Sequence, residues 1–383
     1  MPVKLSKAVA DLVPSATLAI TAKAKQLTSL GKKIISFAAG QPDFDTPEPI
    51  KAAAKKALDE GFTKYTESSG IPELKQVLAD KLKLKNKLSY EPGQIIISNG
   101  AKQILFEAIL CLVDKGDEVI IKAPYWVSYP DMVKVAGGKS AIINDWKELE
   151  KRLNAKTKML IINSPSNPTG EIINRSGLEK IAKAIKKYPN LWVLSDECYD
   201  CFYYNQEKPV SFASLSAEVY KKTLTINAFS KTFSMTGWRL GYGAGPQELI
   251  KAMSVLQDQI SSNPSSFSQK GALVAWEKAG DFPETMRREF TKRRKLMVDR
   301  LNQIQGIKAV LPDGAFYVWA DISQITKNDQ SFCNKLLDEG GVAVIPGTPF
   351  GGPGFIRLSF ATSLEQIETG IDLIKKFVAK NYG

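Results

Sequence analysis

The chain reads Ser230-Lys231-Thr232-Phe233-Ser234-Met235-Thr236-Gly237-Trp238-Arg239-Leu240-Gly241-Tyr242 shortly after a β-rich segment, with two basic side chains and no carboxylate. A lysine in a setting this poor in charge can lose its proton and attack a carbonyl carbon. The guanidinium of Arg239, eight residues after Lys231, has the planar geometry that binds phosphate oxygens. A surface lysine and a salt-bridged arginine would leave the same pattern, so the interpretation depends on the other loops.

Short β-rich segments alternate with amphipathic segments of helical period along most of the chain. The predicted strands are Gln94–Ser98, Glu118–Lys122, Met159–Asn163, Leu191–Ser195, Leu224–Asn227 and Leu240–Ala244. The predicted helices between them include Gln103–Val113, Gly177–Lys187 and Gln247–Ile260. Ser176 and Glu179 form a predicted capping box at one helix start. This alternation predicts an α/β fold with a mixed, mostly parallel sheet that helices flank on both faces.

The C-terminal part of the chain has a different pattern. A long predicted helix, Phe282–Ile304, precedes strands near 315–320, 342–344 and 355–359 and helices near 330–338 and 364–379, the last capped by Ser363. This mixture predicts a smaller α+β domain, and one early helix, at about Thr17–Leu30, is predicted to join it. We therefore expect an N-terminal arm and part of the small domain at 1–45, a large domain at 46–285 and a small C-terminal domain at 286–383.

Two loops at predicted strand ends have features of a ligand site. One reads Ser98-Asn99-Gly100-Ala101-Lys102-Gln103, where small residues let the backbone approach a ligand and the next helix offers free N–H groups to a phosphate. Asn-Gly is also a common turn, so this loop alone is a weak signal. Trp126, in the loop 124–130, is either a core aromatic or a ring that stacks on a flat ligand. Ligands of open α/β sheets bind at the carboxyl ends of strands, where both loops lie.

Two further loops are rich in polar groups. Loop 163–170 reads Asn163-Ser164-Pro165-Ser166-Asn167-Pro168-Thr169-Gly170. Its two X-Pro bonds predict a rigid loop with a cis bond, and its amides and hydroxyls are too dense for an ordinary turn. Asp196 follows an apolar strand directly, where a carboxylate is costly unless it is paired. A protonated ring nitrogen would serve as its cationic partner.

The composition excludes several classes of protein. The 383 residues include no histidine, so Ser-His-Asp and Cys-His catalysis, an HExxH zinc site and an imidazole general base are excluded. If the chain is an enzyme, another group must move protons near neutral pH. With 44% apolar and 24% charged residues, the composition is ordinary for a globular protein and excludes disorder or a fibrous repeat.

The net charge of +12 would suit nucleic acid or acidic membranes, but the lysines are spread along the whole chain. The densest basic cluster is interpreted as the solvated face of a long helix and consists of Arg287, Arg288, Lys292, Arg293, Arg294 and Lys295. We therefore predict no nucleic-acid partner. No apolar run approaches the ~20 residues of a membrane helix, and the N-terminus lacks the apolar region of a signal peptide, so we expect a cytoplasmic protein without a membrane partner.

Cys198 and Cys201 form a CxxC pair, which invites a redox or zinc interpretation. No second CxxC and no histidine exist to complete a zinc site. Aromatic residues follow the pair where a thioredoxin-like site would continue into a helix. We interpret the spacing as coincidence and predict no metal; four cysteines in a chain of this length suit a reducing compartment.

Together these loops resemble the class I aminotransferases, pyridoxal-phosphate enzymes of fold type I, and most closely the branch that holds many bacterial aspartate aminotransferases. The resemblance covers nearly the whole chain in the family's order. Its most specific parts are the Ser-Lys-x6-Trp-Arg stretch and the Asn-Pro-Thr-Gly loop. The supporting segments are Ala39–Phe44, Lys64-Tyr65, Asn163–Gly170, Ser230–Gly241 and Phe355–Ser359.

The resemblance implies how the chain would hold pyridoxal 5'-phosphate in its large domain. Lys231 would carry the cofactor as a Schiff base, and Asp196 would keep the ring nitrogen protonated, which makes the ring an electron sink. Asn167 and Tyr199 would hydrogen-bond the phenolate oxygen of the ring, and Trp126 would stack on its face. The implied phosphate ligands are Arg239, Ser230, the backbone amides of Ala101 and Lys102, and Tyr65 of the partner subunit in a homodimer with shared active sites.

The resemblance also implies a substrate site, bordered by Trp126 and Asn167. Arg357 would bind the α-carboxylate of an amino acid through both guanidinium nitrogens, helped by the backbone near Gly40. Lys102 would contact the distal carboxylate of aspartate or glutamate; the alternative is a solvated lysine at a helix start, where the dipole disfavours a cation. The stretch 261–264 would complete the pocket from the second subunit.

Three positions depart from the family's pattern. Ala228 stands where many members have a phosphate-binding serine, so part of the phosphate contact must come from elsewhere. Val13 stands where some relatives have a basic residue associated with prephenate, which argues against that substrate. Segment 141–153 looks shorter than in most relatives, which leaves the side-chain pocket open.

We therefore expect a ping-pong aminotransferase that acts on aspartate or glutamate with 2-oxoglutarate or oxaloacetate. The alternatives are an aromatic, alanine or kynurenine aminotransferase, or a pyridoxal-phosphate lyase, because fold does not fix reaction type. A non-catalytic regulator is remote because the chain has no room for a DNA-binding domain. The absent histidine agrees with this chemistry, since the amine of Lys231 can carry the proton and other residues replace the histidines that support the cofactor in some relatives.

Overall fold

The computed structural model describes residues 3–10, 12, 14, 16–205 and 207–383, so Val13 lies outside the described residues. The strands, in chain order, are β1 (Ile35–Ser36), β2 (Ile95–Ser98), β3 (Glu118–Lys122), β4 (Lys139–Ile143), β5 (Thr157–Asn163), β6 (Trp192–Asp196), β7 (Thr223–Ala228), β8 (Gly241–Ala244), β9 (Lys308–Ala309), β10 (Tyr317–Asp321), β11 (Val342–Ala343), β12 (Ile345–Pro346) and β13 (Phe355–Ser359).

The α-helices, in the same order, are α1 (Lys7–Ala10), α2 (Ala16–Ser29), α3 (Glu48–Asp59), α4 (Pro72–Lys81), α5 (Ala101–Leu112), α6 (Ser128–Val135), α7 (Leu149–Arg152), α8 (Arg175–Ile185), α9 (Ala217–Tyr220), α10 (Phe229–Thr232), α11 (Gln247–Ile260), α12 (Ser266–Leu273), α13 (Ala275–Lys278), α14 (Phe282–Leu301), α15 (Asp329–Gly340) and α16 (Leu364–Tyr382). No helix in the described part of the chain is both long and apolar enough to cross a membrane.

Seven of the described strands form one sheet in the order β2-β8-β7-β6-β5-β3-β4. Neighbours from β7 to β4 run parallel, whereas β8 pairs antiparallel with both β7 and β2. The α/β prediction of a mixed, mostly parallel sheet is therefore confirmed, and the six predicted strands lie within two residues of observed ones. Strand β4 was not predicted, because it lies at the sheet edge and is buried only in part.

The central strands of this sheet are buried on both faces, which explains why their sequences are almost continuously apolar. Ile161, Leu194 and Ile226 point to one face and pack on the apolar sides of α5 and α11. Leu160 and Val193, one residue out of step, point to the opposite face and pack against α8. The helices thus fix the sheet between them and hold its strand ends in place.

The capping box predicted from Ser176 and Glu179 is wrong. The cap of α8 is Asn174, whose side-chain oxygen accepts a hydrogen bond from the backbone N–H of Gly177 at 2.9 Å. Ser176 lies inside the first helical turn instead. The Ser363 cap of α16 is confirmed, because its hydroxyl accepts from the backbone N–H of Gln366 at 3.2 Å.

A second sheet, of four strands among the described residues, has the order β12-β13-β10-β9 and is antiparallel throughout. Strand β1 pairs in parallel with β11, which ties the segment near residue 35 to the C-terminal part of the chain. The strand predicted near 342–344 is divided into β11 and β12, and the long helix α14 ends at Leu301. Helices α14 and α16 pack against each other beside this sheet.

The interpretation of the basic cluster on α14 as a solvated face is wrong for two of its members. Arg293 is buried and its guanidinium binds the Asp43 carboxylate at 2.8 Å. Arg294 is also buried and donates to the backbone oxygen of Pro312 at 2.6 Å. These arginines join α14 to neighbouring segments, so they are structural rather than a free basic surface.

Candidate active site

A cavity of about 270 Å³ lies where the carboxyl ends of β5, β6 and β7 meet the N-terminus of α5. All the predicted site residues except Tyr65 line it: Gly40, Ala101, Lys102, Trp126, Asn167, Asp196, Tyr199, Ser230, Lys231, Arg239 and Arg357. Tyr65 lies on the surface of this chain and is 89% exposed. Ala228 is buried under α10 and is not among the described lining residues. The structure thus gathers side chains from both sheets around one space.

Lys231 lies on α10, the single helical turn that follows β7. Its ammonium group donates a hydrogen bond to the backbone oxygen of Gly40. Burial lowers the pKa of Lys231 to about 8, and the charges of Arg357 and Arg239 act in the same direction. A lysine with this pKa changes its protonation state near neutral pH, which a proton-transfer group requires.

Asp196 is the last residue of β6 and is 6% exposed. The hydroxyl of Tyr129 donates to its Oδ2 at 2.6 Å, and the backbone N–H of Cys198 donates to its Oδ1 at 3.2 Å. Burial raises the pKa of Asp196, while these hydrogen bonds oppose the rise. No salt bridge to Asp196 exists among the described residues, so a cation in the cavity would find an accepting carboxylate.

Arg357 projects from β13 and is 2% exposed. Its Nη1 donates to the side-chain oxygen of Asn167 and its Nη2 to the backbone oxygen of Ala38, both at 3.0 Å. Its guanidinium carbon lies 4.4 Å from the ring centre of Tyr317. The Nε atom is buried without a hydrogen-bond partner, which leaves donor capacity at this arginine.

Tyr199 and Tyr317 form a pair of buried hydroxyls beside Lys231 and Arg357. Their oxygens lie 2.9 Å apart. Burial, and then the neighbouring Tyr317, raises the pKa of Tyr199 well above its usual range, so its hydroxyl stays protonated and can donate. The pair joins β10 of the second sheet to the loop after β6.

The loop before α5 brings backbone and Arg239 close together. Gly100, with a φ of 89°, precedes α5 without a side-chain cap, so the first N–H groups of the helix lack a protein side-chain acceptor. Arg239 has a left-handed backbone (φ 56°) and donates from Nη2 to the backbone oxygen of Asn99 at 3.3 Å. A Cβ on Gly100 would lie 2.6 Å from Nη2 of Arg239, and a Cβ on Gly241 would lie 2.2 Å from the amide nitrogen of Ala101. The glycines are required for this close approach.

Lys102 lies at the opposite side of the same helix start, and its ammonium nitrogen is 4.9 Å from the ring centre of Trp126. Burial, and then the charge of Arg239, lowers its pKa. Trp126 also meets Tyr129 edge to face at 5.4 Å. Trp126 therefore packs against the core through Tyr129 and also borders the cavity, where its ring is available to a ligand.

The cavity is strongly cationic. Its described lining residues include four basic side chains, Lys102, Lys231, Arg239 and Arg357, and one carboxylate, Asp196. Within the described residues, none of the four forms a salt bridge. Excess positive charge in a partly buried space favours a ligand with several negative charges, such as one with both a phosphate and a carboxylate.

The sequence reasoning missed two of the polar side chains at this site. Tyr129 lies in the loop that was noted for Trp126, and Tyr317 lies in a predicted strand, but the sequence assigned neither of them a role; Tyr317 lines the cavity and Tyr129 binds Asp196 behind it. Thr17 and Leu18, from α2, also line the cavity. Cys198 lines it as well, but it is a free thiol whose pKa burial raises, and no metal-binding group of side chains exists in the described regions. The expectation of no zinc site thus has no finding against it.

The peptide bonds Ala123-Pro124 and Ser164-Pro165 are cis, the second within the loop for which a cis bond was predicted. The hydroxyl of Ser261 accepts hydrogen bonds from the side chains of Asn99 and Gln103 at 3.1 and 2.8 Å. This serine therefore supports the loop before α5 of the same chain.

The family model for aminotransferase class I and II matches residues 32–374. The chain belongs to this family. A probable aspartate/prephenate aminotransferase from Aquifex aeolicus is 45% identical over 386 residues, which is 97% of this chain and 98% of the relative. An aspartate aminotransferase from Bacillus subtilis is 42% identical over 392 residues, 99% of this chain and 100% of the relative.

Among solved structures, the aspartate aminotransferase from Thermus thermophilus with maleate superimposes with a TM-score of 0.93 and 39% identity, over 98% of this chain and 100% of that one. The resemblance that the loop motifs indicated, and the fold type it implied, are therefore confirmed. This aminotransferase has its basic side chains, its buried carboxylate and its lysine at the strand ends where that fold places a ligand.

Proposed function

We propose that this aminotransferase binds pyridoxal 5'-phosphate and moves the amino group between aspartate or glutamate and 2-oxoglutarate or oxaloacetate by a ping-pong mechanism. The observation that carries the proposal is the cavity itself, where four basic side chains that form no salt bridge with any described residue surround a buried carboxylate. Aminotransferases of this class depend on pyridoxal phosphate, and the ligand must supply the negative charge that the protein lacks there.

The donors and acceptors fit the cofactor group by group. The uncapped start of α5, the Ser230 hydroxyl and the Arg239 guanidinium suit a phosphate, and Gly100 and Gly241 let Arg239 and the start of α5 approach each other closely. Asp196, buried and without a salt bridge to any described residue, suits the protonated ring nitrogen. Asn167 and Tyr199 suit the phenolate oxygen of the ring, and Trp126 suits its face.

When bound, the cofactor supplies an electron sink that stabilises negative charge at the α-carbon of an amino acid. Asp196 holds a proton on the ring nitrogen through its own negative charge. Lys231, whose pKa lies at about 8, takes and returns the proton of the α-carbon. Tyr199 stays protonated and orients the ring by donating a hydrogen bond.

Two of the four basic side chains, Arg357 and Lys102, are not assigned to the phosphate and are available to bind the substrate. Arg357 would bind the α-carboxylate, because it is buried, rigidly held and has a donor without a partner. Lys102, held over Trp126 and without a carboxylate partner in the described chain, would bind the distal carboxylate. The Thermus relative is named with maleate, which is also a dicarboxylate.

The name of the Aquifex relative includes prephenate as well as aspartate. The position that the resemblance connects with prephenate is Val13 in this chain, an uncharged side chain. We therefore propose the C4 and C5 dicarboxylic amino acids as the donors rather than prephenate.

We further propose a homodimer, located in the cytoplasm, in which Tyr65 of the partner subunit completes the phosphate site. Tyr65 is 89% exposed, and Val255 and Ile260 on α11 are exposed apolar residues near the loop before α5. The proposed units of each subunit are the arm and part of the small domain at 1–45, the large domain at 46–285 and the small domain at 286–383. The pairing of β1 with β11 supports the first of these assignments.

The proposal is tested with an amino-donor panel against 2-oxoglutarate, in wild type, Lys231→Ala and Lys102→Ala. Wild type is expected to prefer aspartate and glutamate, and Lys231→Ala to lose turnover together with the absorbance of the lysine-bound cofactor. Lys102→Ala should lower kcat/KM for aspartate by about tenfold or more, the loss expected for one charged contact, and leave aromatic donors unaffected.

Three results would contradict parts of this proposal. Full activity in Lys231→Ala would remove the assigned chemistry. An unchanged preference for dicarboxylic over aromatic donors in Lys102→Ala would remove this lysine from the pocket. Release of pyruvate and ammonia without a keto acid would instead identify a lyase.

A further inference from the structure

One buried hydrogen bond at the site has no role in the scheme above. Tyr129, at the start of α6, is 1% exposed and donates to Oδ2 of Asp196 at 2.6 Å. This distance is within the range of strong hydrogen bonds from a hydroxyl to a carboxylate. Because both residues are buried, the local dielectric constant is low and the bond is worth more than on the surface.

The surroundings of Tyr129 hold its hydroxyl in place. Its ring meets the ring of Trp126 edge to face at 5.4 Å, and it packs among the apolar side chains between α5, α6 and the sheet. Trp126 borders the cavity and Asp196 ends β6, so Tyr129 lies directly behind two groups that the cofactor would contact.

The titratable groups that face Asp196 are few. Among the described residues they are Tyr129 from α6, Cys198 from the loop after β6 and Lys231 from α10, and Tyr199 acts on Tyr129 rather than on Asp196. Lys231 already donates to the backbone of Gly40, and Cys198 binds the other carboxylate oxygen, Oδ1, through its backbone N–H. The chain has no histidine that could donate instead. Tyr129 is therefore the side-chain hydroxyl that holds Oδ2.

We propose that Tyr129 is a positioning residue that keeps the Asp196 carboxylate oriented and charged for the ring nitrogen of the cofactor. Among the described residues, Tyr129 donates to Oδ2, and Cys198 binds the carboxylate through its backbone N–H and its thiol. A carboxylate oxygen has two lone pairs, so Oδ2 can accept a second hydrogen bond from a group in the cavity. The inference rests on the proposed binding of pyridoxal phosphate. Its effect on Asp196 is present in the protein without cofactor and can be measured there.

The test is infrared difference spectroscopy of the full-length, cofactor-free protein as a function of pH. The carbonyl stretch of protonated Asp196 is assigned by its absence in Asp196→Asn. Removal of the hydroxyl in Tyr129→Phe should make the carboxyl keep its proton to a pH about one unit higher, because a hydrogen bond to a charged group is lost. Tyr204→Phe is the control, since Tyr204 is half-buried and its hydroxyl donates to the backbone oxygen of Ala315 instead of to a carboxylate.

A second variant covers the case in which Tyr129→Phe does not fold. A fluorinated tyrosine at position 129 keeps the shape of the side chain and makes its hydroxyl a stronger donor, so the titration of Asp196 should move to lower pH. The same replacement at position 204 should leave it unchanged. An Asp196 titration that is equal to wild type in both position-129 variants would overturn the inference.

The absorbance of the cofactor-loaded protein provides a second, independent measurement. In Tyr129→Phe the pH at which the absorbance of the bound cofactor changes should shift relative to wild type, whereas it should not in Tyr204→Phe. A wild-type protein that takes up no pyridoxal phosphate would contradict the proposed function, but the infrared titration would still decide whether Tyr129 controls Asp196.

Discussion

Lys231 shows at the scale of one residue how function opposes stability. Burial lowers its pKa to about 8 from an ordinary value of 10.5, so the unfolded chain binds a proton more tightly than the folded one. Between these two pH values the unfolded state carries more protons, and the free energy of unfolding therefore rises with pH. Below about pH 8 the folded protein must protonate a buried lysine, which destabilises it by up to about 3 kcal/mol.

We expect Lys231→Met to raise the free energy of unfolding of the cofactor-free protein at pH 7 by roughly 1–3 kcal/mol, since methionine has a similar shape and no charge. The gain should shrink as the pH rises from about 8 towards 10.5. Urea denaturation at several pH values measures this. Lys251→Met, at an exposed position of α11, is the control and should show no such gain. Equal stability of Lys231→Met and wild type at pH 7 would contradict the burial argument.

The residues that the sequence identified are those whose chemistry is unusual for their local setting. A lysine without nearby carboxylates, an aspartate at the end of an apolar strand and an arginine in a β-segment each stand out without a structure. Tyr129 and Tyr317 do not, because a tyrosine in an apolar segment most often belongs to the core. Their roles depend on partners 67 and 118 residues away, which no local pattern contains.

At the scale of elements, the sequence predicted helix caps and exposed helix faces least well where neighbouring residues of similar chemistry compete for the same position. Ser176 and Asn174 are both good helix caps, and only the backbone path decided for Asn174. Likewise, the basic residues of α14 have the pattern of a solvated helix face, but Arg293 meets Asp43 from a segment 250 residues earlier. The positions of the strands and the hydrophobic periods were predictable, whereas these pairings depend on tertiary packing.

The proposed phosphate site depends on the close packing of β8 against the N-terminus of α5. In Gly241→Ala the new Cβ would lie 2.2 Å from the amide nitrogen of Ala101, a backbone atom that cannot move aside. We expect the free energy of unfolding to fall by about 1–3 kcal/mol, the usual cost of overpacking. The affinity for pyridoxal phosphate should fall by about tenfold or more, because the N–H groups of α5 would be displaced.

Gly237→Ala is the matched control for this prediction, because it lies in the same segment and a Cβ there meets nothing within 4 Å. Thermal unfolding and cofactor titration of both variants make the comparison. If Gly241→Ala binds the cofactor as tightly as Gly237→Ala does, the close approach of β8 and α5 is not what shapes the phosphate site.

At the scale of the whole molecule, the cavity combines side chains from both sheets. Asp196 comes from β6 of the seven-stranded sheet, whereas Arg357 and Tyr317 come from the four-stranded one. The hydrogen bond between Arg357 and Asn167 and that between Tyr317 and Tyr199 connect the two. One predicted site residue, Tyr65, lies apart from all of them on the surface. This separation is expected if its place is in the site of a second subunit.

Mixing Tyr65→Ala, which we expect to lose most of its activity together with the phosphate contact, with the inactive Lys231→Ala tests that arrangement. In a mixed dimer of Tyr65→Ala and Lys231→Ala subunits, the site with an intact Lys231 would receive an intact Tyr65 from the partner subunit, and the other site would lack both. Half of randomly formed dimers are mixed and each has one complete site, so activity should recover to about a quarter of wild type. A mixture of Lys231→Ala with the double variant should recover none. If sedimentation shows mixed dimers but activity does not recover, Tyr65 does not act across the interface and the proposed shared active site is wrong.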